Sequence, residues 1–207
     1  DGYIVTCNHV VEGAQKIFVY LDNGNDYEAT LVGTDSVTDL AVIKINAYNL
    51  SYAKFGDSST LSVGEDVFAI GNALGQLSNT YTRGSISGLD RSITIDNVTM
   101  TLLQTDAAIN QGNSGGGLFR ESDGTLIGIV NAKSSGSGIE GLALQSPPRL
   151  PVKLSATLWT TALLSAVPIS VSPLRMFPSP VTDSSPVLTP IPALYPLKTA
   201  VRLSRRD

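Results

Sequence analysis

The chain has 207 residues, a formal net charge of −4, one cysteine and one histidine. This length allows one ordinary domain or two small ones, and the acidic balance argues against nucleic acid as a partner. A single cysteine excludes an internal disulfide, and one cysteine with one histidine cannot build a usual zinc site. We therefore predict no cofactor and no metal, and we interpret Cys7 as a small buried packing residue.

Composition divides the chain near residue 142. All 19 glycines lie in residues 1–142 and all 11 prolines in residues 143–207. The first part has a net charge of −9 and the second +5. Prolines spaced this closely forbid long helices and central strands. We predict a globular domain over residues 1–142 and a Pro-rich tail over residues 143–207 that is disordered or out of frame.

Short strands separated by turns fill the globular part. The first apolar run begins at residue 4 and leads into a polar turn at His9. The runs 17–21 and 27–32 flank the turn cluster DNGN, which predicts a hairpin. Further strands are predicted over residues 40–45, 67–70, 81–87, 98–103, 126–130 and 139–142. Many short strands with frequent turns indicate an all-β barrel or sandwich.

Ser114 lies in the glycine-rich sequence GNSGG at residues 112–116. A serine on such a tight turn can present its hydroxyl and two backbone N–H groups to one carbonyl, as acyl transfer requires. The hydroxyl also needs a base and a group that orients the base. His9 supplies the imidazole, and Asp39, at the start of an apolar strand, supplies a carboxylate. Asp35 is a competing acid four positions earlier.

The order of these residues separates two classes of serine hydrolase. Residues 112–116 also fit the G-x-S-x-G motif of α/β-hydrolases, in which the acid and histidine follow the serine. No histidine follows Ser114 in this chain. The order His9, Asp39, Ser114 is that of chymotrypsin-like double β-barrels. Each candidate also has a purely structural interpretation: His9 as a surface residue, Asp39 as a turn residue, and residues 112–116 as a glycine-rich hairpin. A non-catalytic chain would require all three interpretations to be correct.

Three sequence blocks resemble the catalytic blocks of HtrA/Deg-type serine proteases. They are residues 6–11 (TCNHVV), 33–42 (GTDSVTDLAV) and 105–116 (TDAAINQGNSGG), and the resemblance covers residues 1 to about 142. It implies a double six-stranded β-barrel of chymotrypsin type, incomplete at both ends. It also implies that His9 is the general base, Asp39 its orienting acid and Ser114 the nucleophile. The N–H groups of Gly112 and Ser114 would form the oxyanion hole.

The resemblance also implies a substrate and a cleft. The strand at residues 126–133 would pair its edge with an extended peptide. Ile109, Asn110, Asn131 and Ala132 are expected to contact that peptide, with a small or medium apolar side chain before the cut. The implied activity is endoproteolysis of unfolded or misfolded proteins through an acyl-enzyme, in protein quality control. The alternative is a catalytically inactive fragment or a peptide-binding, chaperone-like module.

The remaining expectations concern the parent protein and the tail. The resemblance implies an extracytoplasmic location, in the periplasm or cell envelope, and a homo-oligomeric parent with a PDZ domain, although the chain shows no targeting segment. Residues 141–147 read GLALQSP where the family would read GLGFAIP, which one dropped base would explain. We interpret this as a reading-frame shift near Ala143 that removes the last barrel strand.

Overall fold

The computed structural model describes residues 2–21, 23–73, 77–95, 98–110, 112–132, 141–145 and 202–206. Within these ranges the chain forms β-strands in two sheets, one short α-helix and a 3₁₀ turn at Ser58–Thr60. The elements in chain order are β1 (Tyr3–Cys7), α1 (Asn8–Val11), β2 (Lys16–Tyr20), β3 (Asp26–Asp35), β4 (Leu40–Lys44), β5 (Asp66–Ala73), β6 (Leu77–Ile95), β7 (Val98–Thr105), β8 (Gly117–Arg120), β9 (Leu126–Val130), β10 (Leu142–Gln145) and β11 (Arg202–Arg206).

The first sheet has the strand order β1-β4-β3-β2-β11. Strands β1 and β4 are antiparallel, with Cys7 opposite Leu40 at the end of the pair. Strands β2 and β3 form the predicted hairpin, in which the Leu21 N–H donates to the Asn25 carbonyl at 2.8 Å. One apolar face of this sheet packs into a cluster that contains the fully buried Ile43. The alternate residues of β1 and β4, such as Val5 and Val42, pack with residues of the second sheet. The register therefore brings the end of β1 beside the start of β4.

The second sheet closes into a six-stranded ring with the order β10-β7-β6-β5-β8-β9. Every neighbouring pair in the ring is antiparallel. Fully buried Leu103, Leu118 and Ile127 lie in its core. The predicted all-β fold is confirmed, and the predicted strands at 40–45, 67–70 and 126–130 correspond to β4, β5 and β9. Strand β8 was not predicted, because it is short and begins in the glycine run.

The first sheet is less complete than the second, and the double barrel is predicted to be incomplete at both ends. The first sheet contains five strands in the described part of the chain. Its edge strands are β1, which pairs with β4, and β11, which pairs with β2. Within the described residues β1 and β11 do not pair with one another, so the sheet does not close. Six strands therefore describe the second half of the fold and not the first.

The tail differs from the prediction. Strand β10 crosses the predicted boundary after residue 142, and Ala143 is fully buried opposite Leu103 and Val130. The small side chain fits between β7 and β9, so the expected loss of the last barrel strand is wrong. Residues 202–206 form β11 beside β2 and are not disordered. The rest of the predicted tail, residues 146–201, lies outside the described residues.

Within the described residues, no helix has the length and apolar character needed to cross a membrane.

Candidate active site

His9 lies in α1, the helical turn that directly follows the end of β1. Strand β1 is buried over Ile4–Cys7 and passes directly into the single turn of α1, which contains His9. The imidazole side chain is 23% exposed. The sequence predicted a polar turn here, and one helical turn fills that place. The scaffold thus fixes the main chain of His9 while leaving its ring accessible.

Asp39 precedes β4 and holds the first turn of α1. Its main-chain oxygen accepts the Asn8 N–H at 2.8 Å, and its Oδ1 accepts the His9 N–H at 2.9 Å. Both N–H groups belong to the start of a helix, where no helical acceptor exists. Asp39 has φ +55°, a conformation that Asp adopts more readily than most residues. The backbone and side chain of Asp39 therefore both bind the first turn of α1.

The carboxylate and the imidazole form a close pair. Oδ2 of Asp39 lies 2.6 Å from Nδ1 of His9, and the Asp39 side chain is 12% exposed. A neutral imidazole that donates from Nδ1 carries a lone pair on Nε2, and this nitrogen can accept a proton. The competing acid, Asp35, accepts the Val37 N–H at 2.9 Å and the Thr38 hydroxyl at 3.0 Å. The Asp35 carboxylate therefore stabilises the turn in which it lies.

Ser114 lies on the turn between β7 and β8, and this turn is tied to the end of β9. Its Oγ accepts the Ala132 N–H at 3.3 Å. The Gly115 N–H donates to the Val130 carbonyl at 2.9 Å, and the Val130 N–H donates to the Gly116 carbonyl at 2.8 Å. These bonds fix the main chain on both sides of the serine hydroxyl.

Two backbone amides of this turn have no acceptor within the described part of the chain. Among the described residues, neither the Gly112 nor the Ser114 N–H donates to a protein group. The intervening Asn113 N–H donates to the Asn110 carbonyl at 3.0 Å, and Gly112 has φ +93°. The two donors thus lie on either side of Asn113 in the sequence, and such a pair of N–H groups can bind a single oxyanion.

The end of β9 connects the acid with the serine. Nδ2 of Asn131 donates to Oδ2 of Asp39 at 3.0 Å, and Asn131 is 2% exposed. The next residue, Ala132, donates its N–H to Ser114. The serine turn also packs on β1, since a Cβ at Gly115 would collide with Oγ1 of Thr6 and lie 3.2 Å from the Cys7 nitrogen. Two sheets therefore meet at one cluster of polar groups.

The residues predicted to contact substrate occupy different environments. Ile109 and Ala132 bury their side chains in the core of the barrel. The Asn131 amide is engaged with Asp39, and Asn110 is exposed. The contact between Asn131 and Asp39 was missed because the residues are 92 positions apart and no local pattern marks it. Strand β9 pairs with β8 on one side and with β10 on the other, so the predicted pairing of its edge with a peptide is not open along this strand.

Cys7 packs directly beneath the imidazole and the carboxylate. The residue is fully buried, and its Sγ donates to the Val130 carbonyl at 3.3 Å. Burial raises the pKa of the Cys7 thiol well above its ordinary value, and the Asp39 charge raises it further. The thiol is therefore protonated at neutral pH, in agreement with the predicted packing role.

Gly115→Ala is expected to lower both stability and activity. The residue has φ +80°, and the added methyl would collide with Thr6 and push the serine turn away from β1. We expect the free energy of unfolding to fall by about 2–4 kcal/mol, from left-handed strain plus overpacking. Gly64→Ala is the matched control, because it has φ +87° and no atom within 4 Å of the added methyl. Urea denaturation and peptide hydrolysis of both variants test this, and equal losses would contradict it.

Comparison with known proteins identifies the family of the chain. Residues 1–129 match the family model described as "Trypsin-like peptidase domain". "Serine protease Do-like HtrB" of Bacillus subtilis (strain 168) is 55% identical over 151 residues, which cover 70% of this chain and 33% of that protein. "Probable periplasmic serine endoprotease DegP-like" of Chlamydia pneumoniae is 52% identical over 138 residues, which cover 67% of this chain and 28% of that protein.

A solved structure extends the likeness to the fold. The structure titled "HtrA-type protease AlgW with decapeptide" aligns with a TM-score of 0.66 and 40% identity, covering 79% of this chain and 49% of that one. The present chain spans about a third of the length of the curated relatives described above. The predicted resemblance is thus confirmed: the chain belongs to the trypsin-like peptidase family, and its relatives within that family are HtrA-type serine proteases.

Proposed function

We propose that this chain is the peptidase part of an HtrA-type serine endopeptidase in which His9, Asp39 and Ser114 act as one catalytic group. One observation carries the proposal. Oδ2 of Asp39 accepts from Nδ1 of His9 at 2.6 Å and from Nδ2 of Asn131 at 3.0 Å, and the residue after Asn131 holds the Ser114 hydroxyl.

The chemistry follows from these positions. Nε2 of His9 takes the hydroxyl proton as Oγ of Ser114 attacks the peptide carbonyl, and Asp39 stays ionised to stabilise the imidazolium. The negative charge on the carbonyl oxygen is bound by the N–H groups of Gly112 and Ser114. His9 then gives the proton to the leaving amine. Water hydrolyses the acyl ester by the same route in reverse.

Extended polypeptides are the proposed substrates. The solved HtrA-type relatives include complexes whose titles name a decapeptide and a tripeptide. Pairing with the main chain after β9 would bind such segments without regard to most side chains, and a folded protein rarely offers a free extended segment. We therefore propose unfolded or misfolded proteins as substrates, with the exposed Asn110 at the cleft and a small or medium apolar residue before the cut.

The setting of the whole protein is also a proposal. Several relatives are named periplasmic endoproteases, which supports an extracytoplasmic location in the periplasm or cell envelope. The homo-oligomeric parent with a PDZ domain remains a prediction from the resemblance.

Active-site labelling tests the proposal most directly. A fluorophosphonate probe is expected to form one adduct, mapped to Ser114 by mass spectrometry, and His9→Ala should prevent it. The same preparation should cleave a reduced and alkylated protein and spare the native, disulfide-bonded form of that protein. Tight binding of the unfolded form with neither adduct nor cleavage would favour the chaperone-like alternative.

Asn131→Ala is expected to slow catalysis while leaving substrate binding nearly unchanged. The substitution removes a buried donor to Oδ2 of Asp39, and a hydrogen bond to a charged group contributes about 1.5–3 kcal/mol. We expect kcat/KM to fall roughly 10- to 100-fold, mostly through kcat. Asn131→Ser, which retains a donor, should keep more activity than Asn131→Ala. Steady-state kinetics with melting curves measure this, and activity unchanged in both variants would refute the role.

A further inference from the structure

A cluster of three metal-ligating side chains lies beneath the catalytic imidazole. Sγ of Cys7, a ring nitrogen of His9 and a carboxylate oxygen of Asp39 all lie within 4.8 Å of one another. Thiolate, imidazole and carboxylate are all protein ligands of Zn²⁺. The predicted absence of a zinc site counts only the cysteine and the histidine, whereas the fold brings Asp39 to them as a third ligand. The proposed hydrolysis uses His9 and Asp39 and gives the Cys7 thiol no part.

We propose that these three side chains form an inhibitory site for a thiophilic divalent cation such as Zn²⁺, with water as the fourth ligand. The inference rests on the proposed function, because inhibition presupposes that His9 is the catalytic base. It adds a form of regulation that acts on the base itself and leaves the substrate cleft untouched.

The geometry requires only small adjustments. With bonds of about 2.0–2.3 Å, neighbouring ligand atoms around tetrahedral zinc lie roughly 3.3–3.6 Å apart. The longest separation in the cluster is at most 4.8 Å, and the shortest is the 2.6 Å contact between His9 and Asp39. That contact must open slightly while the thiol approaches. All three residues lie at the joined ends of β1 and β4, so the backbone already holds them together.

The charges also balance. The Cys7 thiol releases its proton to solvent and binds as a thiolate, and Asp39 contributes a second negative charge. A divalent cation then leaves the site neutral overall, which suits its burial. The exchange costs the hydrogen bond from Sγ to the Val130 carbonyl. The ion can enter past the His9 ring, which is 23% exposed, whereas Cys7 is fully buried.

Inhibition follows whichever imidazole nitrogen binds the ion. If Nδ1 of His9 is the ligand, the ring proton resides on Nε2, and Nε2 cannot accept the Ser114 proton. If Nε2 is the ligand, its lone pair is occupied. Removing the ion restores the free base, so the inhibition is reversible by a chelator.

Cadmium titration of the intact chain tests the site without relying on activity. Cd²⁺ should produce an ultraviolet sulfur-to-cadmium charge-transfer band, and Cys7 is the one thiol in the sequence that can give it. Ser114→Ala should retain the band, whereas Cys7→Ala and Cys7→Ser should lose it. His9→Ala should weaken Cd²⁺ binding at least about tenfold, because it removes one ligand.

Zinc inhibition provides the second measurement. Zn²⁺ should slow fluorophosphonate labelling of the unaltered chain, and Cys7→Ala should raise the half-inhibiting concentration at least about tenfold, each protein being compared with its own metal-free rate. No cadmium band in the unaltered chain, or the same zinc sensitivity in Cys7→Ala, would overturn the proposal. An unaltered chain that gives the band but is never labelled would instead contradict the proposed function.

Discussion

Ser114→Ala is expected to lower kcat by roughly 10⁴- to 10⁶-fold, with KM for an unfolded substrate nearly unchanged. The substitution removes the atom that forms the acyl ester and leaves the oxyanion donors in place. Among the described residues the Ser114 side chain makes one long hydrogen bond, from the Ala132 N–H at 3.3 Å, so its loss should barely change the melting temperature. Single-turnover hydrolysis of a peptide measures the rate, and fluorophosphonate labelling should disappear entirely.

Ser59→Ala is the matched control for this experiment. Ser59 is exposed, and its N–H, not its hydroxyl, donates to Asp57. Full activity is expected for that variant. Substantial labelling or hydrolysis by Ser114→Ala would show that another group is the nucleophile.

Asp39→Asn is expected to lower kcat by about 10⁴-fold at neutral pH while the protein stays folded. Asparagine tolerates the positive φ of this position as well as aspartate does, so the backbone should not move. The carboxylate accepts from three donors: the N–H and Nδ1 of His9, and Nδ2 of Asn131. An amide has one oxygen and one NH₂ group, so one of these positions must now face a donor.

We expect kcat to fall because the substitution changes the tautomer of His9. An NH₂ group beside Nδ1 favours the ring form that carries its proton on Nε2, and that form cannot accept the Ser114 proton. Rates over a range of pH, with a melting curve for each protein, measure the effect. Asp35→Asn is the control, because that carboxylate caps an exposed turn. A loss in Asp39→Asn no larger than in Asp35→Asn would refute the assigned role.

Local sequence patterns predicted most of the strands and the three catalytic candidates. Apolar runs such as β4 and β9 are buried along their length, and turn residues separate them, so their positions follow from short-range pattern. The proposed catalytic residues follow from their order in the chain: an imidazole, a carboxylate at a strand start, and a serine between glycines.

Features that depend on distant contacts could not be predicted. The Asn131 amide and the Thr6 side chain matter because another sheet reaches them, and nothing in their neighbours records this. Strand β6 spans 19 residues, longer than the predicted run 81–87, because bulges between Ile86 and Arg91 keep it paired with β7. Strand β10 continued past a compositional boundary because Ala143 is small and apolar enough for the barrel.

The hydrogen bonds of Asn131 and Ala132 give the interface between the sheets a further consequence. The proposed base and acid are carried by one sheet, whereas the proposed nucleophile and the amide bound to the acid are carried by the other. Neither sheet alone holds a complete set of proton-transfer partners. A displacement of about one ångström between them would retune the reaction by orders of magnitude without altering any participating side chain. The turnover rate should therefore respond strongly to any change in the relative position of the two sheets.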